Sequence, residues 1–171
     1  MKVKKRLSAV LLAGLILAVA AVAGFAQRNY LLASGARPEV KVNLMGSVER
    51  DSKMMTLDKA TAVKPGEVLT WTVDAVNVGS APALEYRAIT HVPRGTEYVK
   101  GSAEAEGANA VYSIDGGKSF SPQPMIEQKQ ADGSVKLMPA PVSMYTSIRY
   151  EWANPLAQGG KVTASYKVRV K

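Results

Sequence analysis

The chain has 171 residues, no cysteine and a net charge of +8 at pH 7. The lack of cysteine excludes disulfides, thiol nucleophiles, thiolate zinc sites and iron–sulfur clusters, so a stable fold must depend on a buried core. Four of the positive charges, Lys2, Lys4, Lys5 and Arg6, lie in the first 26 residues, which contain no acidic residue. Removing them from +8 leaves +4, which is too mild and too dispersed to indicate nucleic-acid binding.

The first 26 residues have the pattern of a Sec export signal. Basic residues stand directly before an apolar run from Leu7 to Ala26, which is the order of regions in such a leader. Small residues around Phe25 favour cleavage before Gln27, with a cut after Ala23 as the second choice. The run is also roughly long enough to cross a bilayer as a helix, so an uncleaved leader that anchors the protein is the alternative. We therefore expect a hydrophobic signal helix and an exported protein, located outside the cell, at its surface or in the periplasm.

Three later segments have the two-residue period of strands with one buried face. Trp71, Tyr150 and Trp152 are the largest residues in these apolar rows and are the expected core anchors. No helical stripe accompanies them, so helices covering a parallel sheet are not expected. The expected inward rows are Leu69, Trp71, Val73 and Ala75, then Ile148, Tyr150 and Trp152, and finally Val162, Ala164, Tyr166, Val168 and Val170.

Turn sequences rich in glycine and proline separate these segments. Such turns at short intervals, without helices, predict an antiparallel β-sandwich. Asn77 stands where one strand should end, and its amide is expected to bond to nearby backbone groups. The stretch from Ser121 to Val142 holds four prolines and predicts a protruding hairpin or long loop, because proline cannot donate in a central ladder.

The order of these motifs from about Val40 to Lys171 resembles the conserved-repeat family known as domain of unknown function eleven. That resemblance implies an immunoglobulin-like repeat of bacterial and archaeal surface proteins, and hence a linker at 27–38 and an immunoglobulin-like β-sandwich at 39–171. Where the family usually has an aspartate, this chain has Thr90, so a role of that acidic position does not transfer. The motifs are Lys64-Pro65-Gly66-Glu67 before Leu69-Thr70-Trp71-Thr72-Val73, Asn77-Val78-Gly79-Ser80-Ala81-Pro82-Ala83, Val92-Pro93-Arg94-Gly95-Thr96-Glu97-Tyr98-Val99, Tyr112-Ser113-Ile114-Asp115-Gly116-Gly117-Lys118-Ser119-Phe120 and Leu156-Ala157-Gln158-Gly159-Gly160.

The residues that usually carry catalysis or bind metals are few and scattered. His91 is the single histidine, so a site with two histidines is excluded within one chain, and serine-protease chemistry would need a serine beside it. No G-x-S-x-G motif occurs, and a solvent-facing or locally bonded His91 is expected. Asp115-Gly116-Gly117 lacks the repeated acidic ligands of a calcium loop and is interpreted as a hairpin turn.

Three charged or sulfur-containing groups have both a functional and a structural interpretation. Glu104 and Glu106 are interpreted as a solvated acidic edge, because they stand too close in sequence to straddle a sugar ring. The last strand has a row of basic residues. It is either a charged strand face that keeps the sheet soluble and discourages edge pairing, or a weak contact for anionic envelope polymers. The row consists of Lys161, Lys167, Arg169 and Lys171. The methionines at 54, 55, 125, 138 and 144 form no close copper-binding cluster and are expected in core gaps or loop cover.

We therefore expect no catalytic, cofactor or metal site, and a protein that is not an enzyme. The favoured function is an exported surface or envelope module that acts structurally, or by adhesion to a protein partner at a sheet edge. The alternative is a subunit of an extracellular filament, in which residues 28–48 leave their own domain and complete a neighbour's sheet; Tyr30-Leu31-Leu32-Ala33 supplies apolar residues for such a contact. A secreted enzyme, or an accessory domain of one, is the least favoured class.

Overall fold

The computed structural model describes residues 35–60 and 62–171, so the expected signal at 1–26 and most of the expected linker lie outside the described residues. The described part is all-β, as predicted, with a single 3₁₀ turn at Val142–Met144. The strands are β1 Val40–Arg50, β2 Lys53–Thr56, β3 Val68–Asn77, β4 Arg87–His91, β5 Thr96–Tyr98, β6 Glu104–Ala105, β7 Ala108–Ser113, β8 Met125–Lys129, β9 Val135–Pro139, β10 Ser147–Trp152 and β11 Lys161–Val170.

The strands form three antiparallel sheets. The largest has six strands in the order β2-β1-β3-β11-β5, with β6 also paired to β11. A second sheet has the order β4-β10-β7, and β8 pairs with β9 as a separate hairpin. Residues 38–171 fall into one compact unit, and its paired antiparallel sheets are consistent with a β-sandwich.

The predicted alternation of buried and exposed side chains is confirmed in β3, β10 and β11. In β11 the side chains of Ala164, Tyr166 and Val168 are buried, while Lys167 and Arg169 between and beyond them are exposed. The same period of two appears in β3 and β10. The physical reason is that successive side chains of a pleated strand point to opposite faces, so one face packs and the other meets water.

The six-stranded and three-stranded sheets share one core. Ile148 and Tyr150 from β10 are fully buried together with Tyr166 and Val168 from β11. The Tyr150 hydroxyl donates to the carbonyl of Ser165 at 2.7 Å, so the two sheets are joined by a hydrogen bond as well as by apolar packing. Burial raises the pKa of the Tyr150 phenol, because the charged form would lose its hydration.

Asn77 ties three parts of the backbone together at the end of β3. Its bonds to Gly79 and Ala81 are the predicted local ones, whereas those to Glu39 and Leu156 join segments distant in the chain. Its Oδ1 accepts from the N–H groups of Glu39 at 3.2 Å and Gly79 at 3.1 Å. Its Nδ2 donates to the carbonyls of Ala81 at 2.8 Å and Leu156 at 2.9 Å. The side chain is fully buried, and protein groups satisfy all four of its hydrogen-bonding positions.

The expectation for the three large anchors is right for two of them. Tyr150 and Trp152 belong to the buried core, whereas Trp71 is only partly buried. Trp71 lies on β3 opposite Gly46 of β1. On the same face of β1, Val42 and Leu44 are 58% and 54% exposed, so the cover from the other sheet decreases towards this side. The size of these side chains and the two-residue period of their strands correctly indicated which face points inward. They did not indicate how much of that face the other sheet covers.

The segment from Ser121 to Val142 is a hairpin, as predicted. Its two strands end in a turn in which Gly133 has φ +85° and donates to the carbonyl of Gln130 at 3.0 Å. Within the described residues these strands pair only with each other. Pro122 and Pro124 precede β8, Pro139 is the last residue of β9 and Pro141 follows it, which fits a hairpin outside a central ladder.

An ion pair fastens the loop before β3 to β1. Arg50 Nε donates to Glu67 Oε1 at 2.8 Å, and the Lys64 N–H donates to Glu67 Oε2 at 2.7 Å. The Arg50 hydrogen bond and the one from Lys64 lower the pKa of Glu67 from 4.5 to about 2. These bonds favour the ionised carboxylate, so Glu67 stabilises the fold only while it is charged.

Replacing Glu67 with glutamine should therefore lower stability at pH 7 but not at the most acidic pH. A carboxylate with a depressed folded-state pKa stabilises above its unfolded value, here near 4.5, and that contribution disappears as the pH falls towards 2. The measurement is the urea midpoint of the natural protein and of Glu67→Gln at pH 7, 4 and 2.5. The gap between the two should narrow steadily below pH 4.5; a gap independent of pH would contradict the role of the charge.

Candidate functional site

An apolar groove opens between the two sheets beside β1. The six-stranded sheet extends past the three-stranded sheet on this side, and the inward-facing Val42 and Leu44 stay 58% and 54% exposed. The groove has a volume of about 240 Å³. It is lined by Val42, Leu44, Trp71, Val73, Ile89, Thr90, His91, Pro93 and Tyr166.

The exposure of Val42 and Leu44 follows from what covers the rest of β1. Val48, on the same face, is buried in the core. Gly46 is covered by Leu57, and a Cβ built on Gly46 would lie 2.5 Å from Leu57 Cδ1. The missing side chain at Gly46 therefore lets Leu57 close this end of the strand, and the apolar row remains open only towards its N-terminal end.

The free edge of β4 forms the opposite wall of the groove. Within the described residues, β4 pairs only with β10. The Val92 N–H donates to the Thr146 carbonyl, and the Tyr86 carbonyl accepts from the Trp152 N–H. The even-numbered residues between 86 and 92 therefore bond to the β10 side. Because bonded and non-bonded pairs alternate in an antiparallel ladder, Arg87, Ile89 and His91 direct their N–H and C=O groups away from β10.

A short hydrogen-bond chain closes the floor of the groove. Thr90 Oγ1 donates to the Tyr166 hydroxyl at 2.9 Å, and that hydroxyl donates to the carbonyl of His91 at 2.7 Å. Burial raises the pKa of Tyr166, so the phenol stays neutral and keeps its proton for this bond. The Trp71 indole N–H beside it is buried without an acceptor among the described residues.

The groove suits main chain and apolar side chains better than a small polar substrate. Its volume of about 240 Å³ lies below the roughly 300–1,000 Å³ of ordinary small-molecule pockets. A sheet edge next to an uncovered apolar face offers hydrogen bonds and side-chain pockets together, which is the combination that binds an extended peptide as an added strand.

The structure does bring His91 beside a serine, but the side chain of that serine is not accessible to a substrate. His91 Nδ1 lies 2.8 Å from Ser147 Oγ, and Ser147 is fully buried. His91 is the last residue of β4 and is exposed, so the pair is a local bond across the β4–β10 ladder. The geometry lacks an accessible nucleophile at this histidine.

Asp115 organises the turn after β7. Its Oδ1 accepts from the N–H groups of Lys118 and Ser119, both at 3.0 Å, and Oδ2 accepts from Ser119 Oγ at 2.6 Å. The bonds from Ser119 and Ser113 lower the pKa of Asp115. Both carboxylate oxygens are therefore engaged by the turn itself, in the manner of an Asx turn.

The remaining candidate residues do not converge. Glu104 and Glu106 are exposed, and Glu104 pairs with Ser165 of β11. The basic row of Lys161, Lys167, Arg169 and Lys171 is exposed on the outer face of the six-stranded sheet. Residues 35–60 and 62–171 contain no cluster of three histidine, aspartate or glutamate side chains arranged for a metal.

Of the two positions expected for the methionines at 54, 55, 125, 138 and 144, core gaps or loop cover, the first is wrong. All five are exposed, and they lie on β2, on the β8–β9 hairpin and in the 3₁₀ turn. Strands β2, β8 and β9 lie at a sheet edge or outside the two main sheets, so their side chains have no opposing layer to pack against. The apolar character of methionine favours burial and gave no indication that these side chains would be exposed.

Sequence reasoning did not find the groove. The alternation of Val42, Leu44 and Val48 in residues 40–48 was the available signal, since the period of two places all three on one face.

In the described part of the chain, no helix has the length and hydropathy needed to cross a membrane. No protein-family model, no curated protein and no solved structure matches this chain.

Proposed function

We propose that this protein is an exported, non-catalytic surface or envelope module that works by contact through its open sheet edge. The observation that carries the proposal is the apolar groove beside the free edge of β4, with Val42 and Leu44 uncovered on its other wall. An uncovered apolar face of this kind on a soluble domain marks a site of association. The core below it is well packed, so the edge is held in a fixed position for a partner.

The finer fold assignment is part of this proposal. Two antiparallel sheets around a shared core support an immunoglobulin-like sandwich. The turn motifs that carry the family resemblance stand between strands: residues 64–66 before β3, 93–95 after β4, 115–117 after β7 and 158–160 before β11. We accordingly propose kinship with the conserved-repeat family named above.

Export is proposed from the leader-like sequence of residues 1–26. The partner is a protein segment at the sheet edge, and the exposed basic row adds a weak contact with anionic envelope polymers. The test is to express the full chain with its leader, fractionate the cells and determine the N-terminal sequence of the recovered protein. Recovery outside the cytoplasm is expected, with Gln27 as the new N-terminus. Accumulation of the intact chain in the cytosol would overturn the proposal.

A filament subunit that assembles by N-terminal strand addition is the second candidate. The same free edge and groove favour it, together with the apolar Tyr30-Leu31-Leu32-Ala33 segment. Residues Val40 to Val48 pair with β3 of their own domain, so the donated segment must end before Val40, which shortens the 28–48 segment first considered.

Electron microscopy and sedimentation of the exported protein test this second candidate. Polymers that grow with concentration are expected, and a deletion of residues 27–38 should abolish them. A protein that stays monomeric at high concentration would exclude the filament candidate and leave the contact-module proposal standing.

A further inference from the structure

We propose that residues 29–34 of a second copy add as an antiparallel strand to the free edge of β4, with Tyr30 and Leu32 inserted over Val42 and Leu44. This inference rests on the filament candidate and names the surface that would accept the donated strand.

The edge supplies the backbone hydrogen bonds. Arg87, Ile89 and His91 present N–H and C=O groups away from β10, and the His91 carbonyl already accepts from Tyr166. Residues 28–34 contain no proline, so each can donate to a ladder. The six residues 29–34 extend over about 20 Å as a strand at roughly 3.3 Å each, which is enough to run along the five residues of β4.

The groove supplies the side-chain contacts. In a strand, Tyr30 and Leu32 share one face and Leu31 faces the other way. With the first pair inserted, Leu31 lies on the outer side beside Ile89, whose side chain is 54% exposed. Both faces of the added strand then cover apolar surface that the described residues leave in contact with water, and the area removed from water favours the contact.

The link before β1 favours a neighbouring copy as the source of the strand. Residues 35–39 are exposed and have no regular secondary structure. The backbone of Glu39 is held at the end of β3, where its carbonyl accepts from Val78 N at 2.8 Å and its N–H donates to Asn77. Pro38 restricts Arg37 to extended conformations, which disfavours a tight reversal towards the groove of the same domain. A short hinge of this kind favours exchange of the segment between copies.

Cysteine pairs give a direct test, because the chain has no cysteine of its own. Leu31→Cys and Ile89→Cys are placed on separate full-length chains, each with a different C-terminal tag, and the two chains are co-exported and mildly oxidised. Opposed strand residues are within disulfide range, so a disulfide-linked dimer carrying both tags is expected. Leu32→Cys is the matched control: it is the same residue type one position along, points into the groove and should lose this cross-link.

A second variant tests the backbone contact without relying on a disulfide. Ile89→Pro removes only an N–H that points away from β10, and proline is tolerated at such an edge position. Loss of polymers is expected with the urea midpoint retained, whereas Ile89→Ala, which keeps the N–H, should still assemble. If Ile89→Pro unfolds, the cysteine test decides alone.

The possible results separate this inference from the filament candidate. Polymers without the Leu31–Ile89 cross-link, or a stronger link from Leu32 than from Leu31, would overturn the inference while the filament candidate stands. A double variant, Leu31→Cys with Ile89→Cys, that links only within one chain would overturn the assignment to a second copy. Absence of both cross-link and polymers would overturn the inference and the filament candidate together.

Discussion

Replacing Asn77 with alanine is expected to lower the free energy of unfolding by about 3–5 kcal/mol, which is large for a single substitution. The substitution would remove the Asn77 partner of the Glu39 N–H and of the Ala81 carbonyl. It would also remove one of two bonds at the Gly79 N–H, which donates to the Glu39 carbonyl as well, and at the Leu156 carbonyl, which also accepts from the Ala83 N–H. Each buried polar group left without a partner costs about 1–3 kcal/mol. Urea unfolding at pH 7, followed by tryptophan fluorescence, measures the change.

Asn77→Asp is the matched control, because it keeps the size and shape of the side chain. Its second oxygen would face the carbonyls of Ala81 and Leu156, which now accept from the Asn77 amide nitrogen. A buried charge facing acceptors is unfavourable, so this variant should lose at least as much stability as the alanine variant. A loss below about 1 kcal/mol for alanine, or an aspartate variant as stable as the natural protein, would contradict the proposed bonding role.

Replacing Leu44 with glutamate is expected to abolish association through the groove and leave the fold intact. Leu44 is 54% exposed, so its charged substitute remains hydrated in the free domain and should change stability by less than about 1 kcal/mol. An added strand would force that carboxylate out of water with no lysine or arginine among the residues that line the groove, which is strongly unfavourable. Sedimentation velocity should show complete loss of polymers at concentrations where the natural protein assembles.

Leu137→Glu is the comparison for this prediction. Leu137 lies on the β8–β9 hairpin and is 62% exposed, so it tests the same chemical change on an equally exposed leucine outside the groove. It should assemble normally. Polymers that survive Leu44→Glu, or that are lost equally in both variants, would show that the groove is not the contact surface.

Much of the fold was predictable from the residue pattern. The alternating rows in β3, β10 and β11 identified these strands and their inward faces, because the pleat assigns sides residue by residue. The prolines around Ser121–Val142 correctly indicated a hairpin outside the main sheets. The bonds of Asn77 to Gly79 and Ala81 were also predictable, because a short amide at a strand end bonds to the nearby backbone. Its bonds to Glu39 and Leu156 depend on the tertiary structure.

The groove was not predictable in the same way. Alternation places Val42, Leu44 and Trp71 on an inward face, yet all three remain at least partly exposed because the facing sheet ends at β4. The number of strands in each layer results from long-range pairing between segments far apart in the chain. Such pairings are settled by the packing of whole strands, and a local period carries no information on them.

The same limit explains the other differences. His91 meets Ser147, 56 residues away along the chain, through the β4–β10 register, and the methionines are exposed because their strands lie outside the shared core. Local chemistry, acting within a few residues, was enough to predict the strands and the turns of the described residues. The width of each sheet, and with it the free edge and the uncovered apolar row, depended on which distant strands pair, because the energy of that choice is shared across the whole domain.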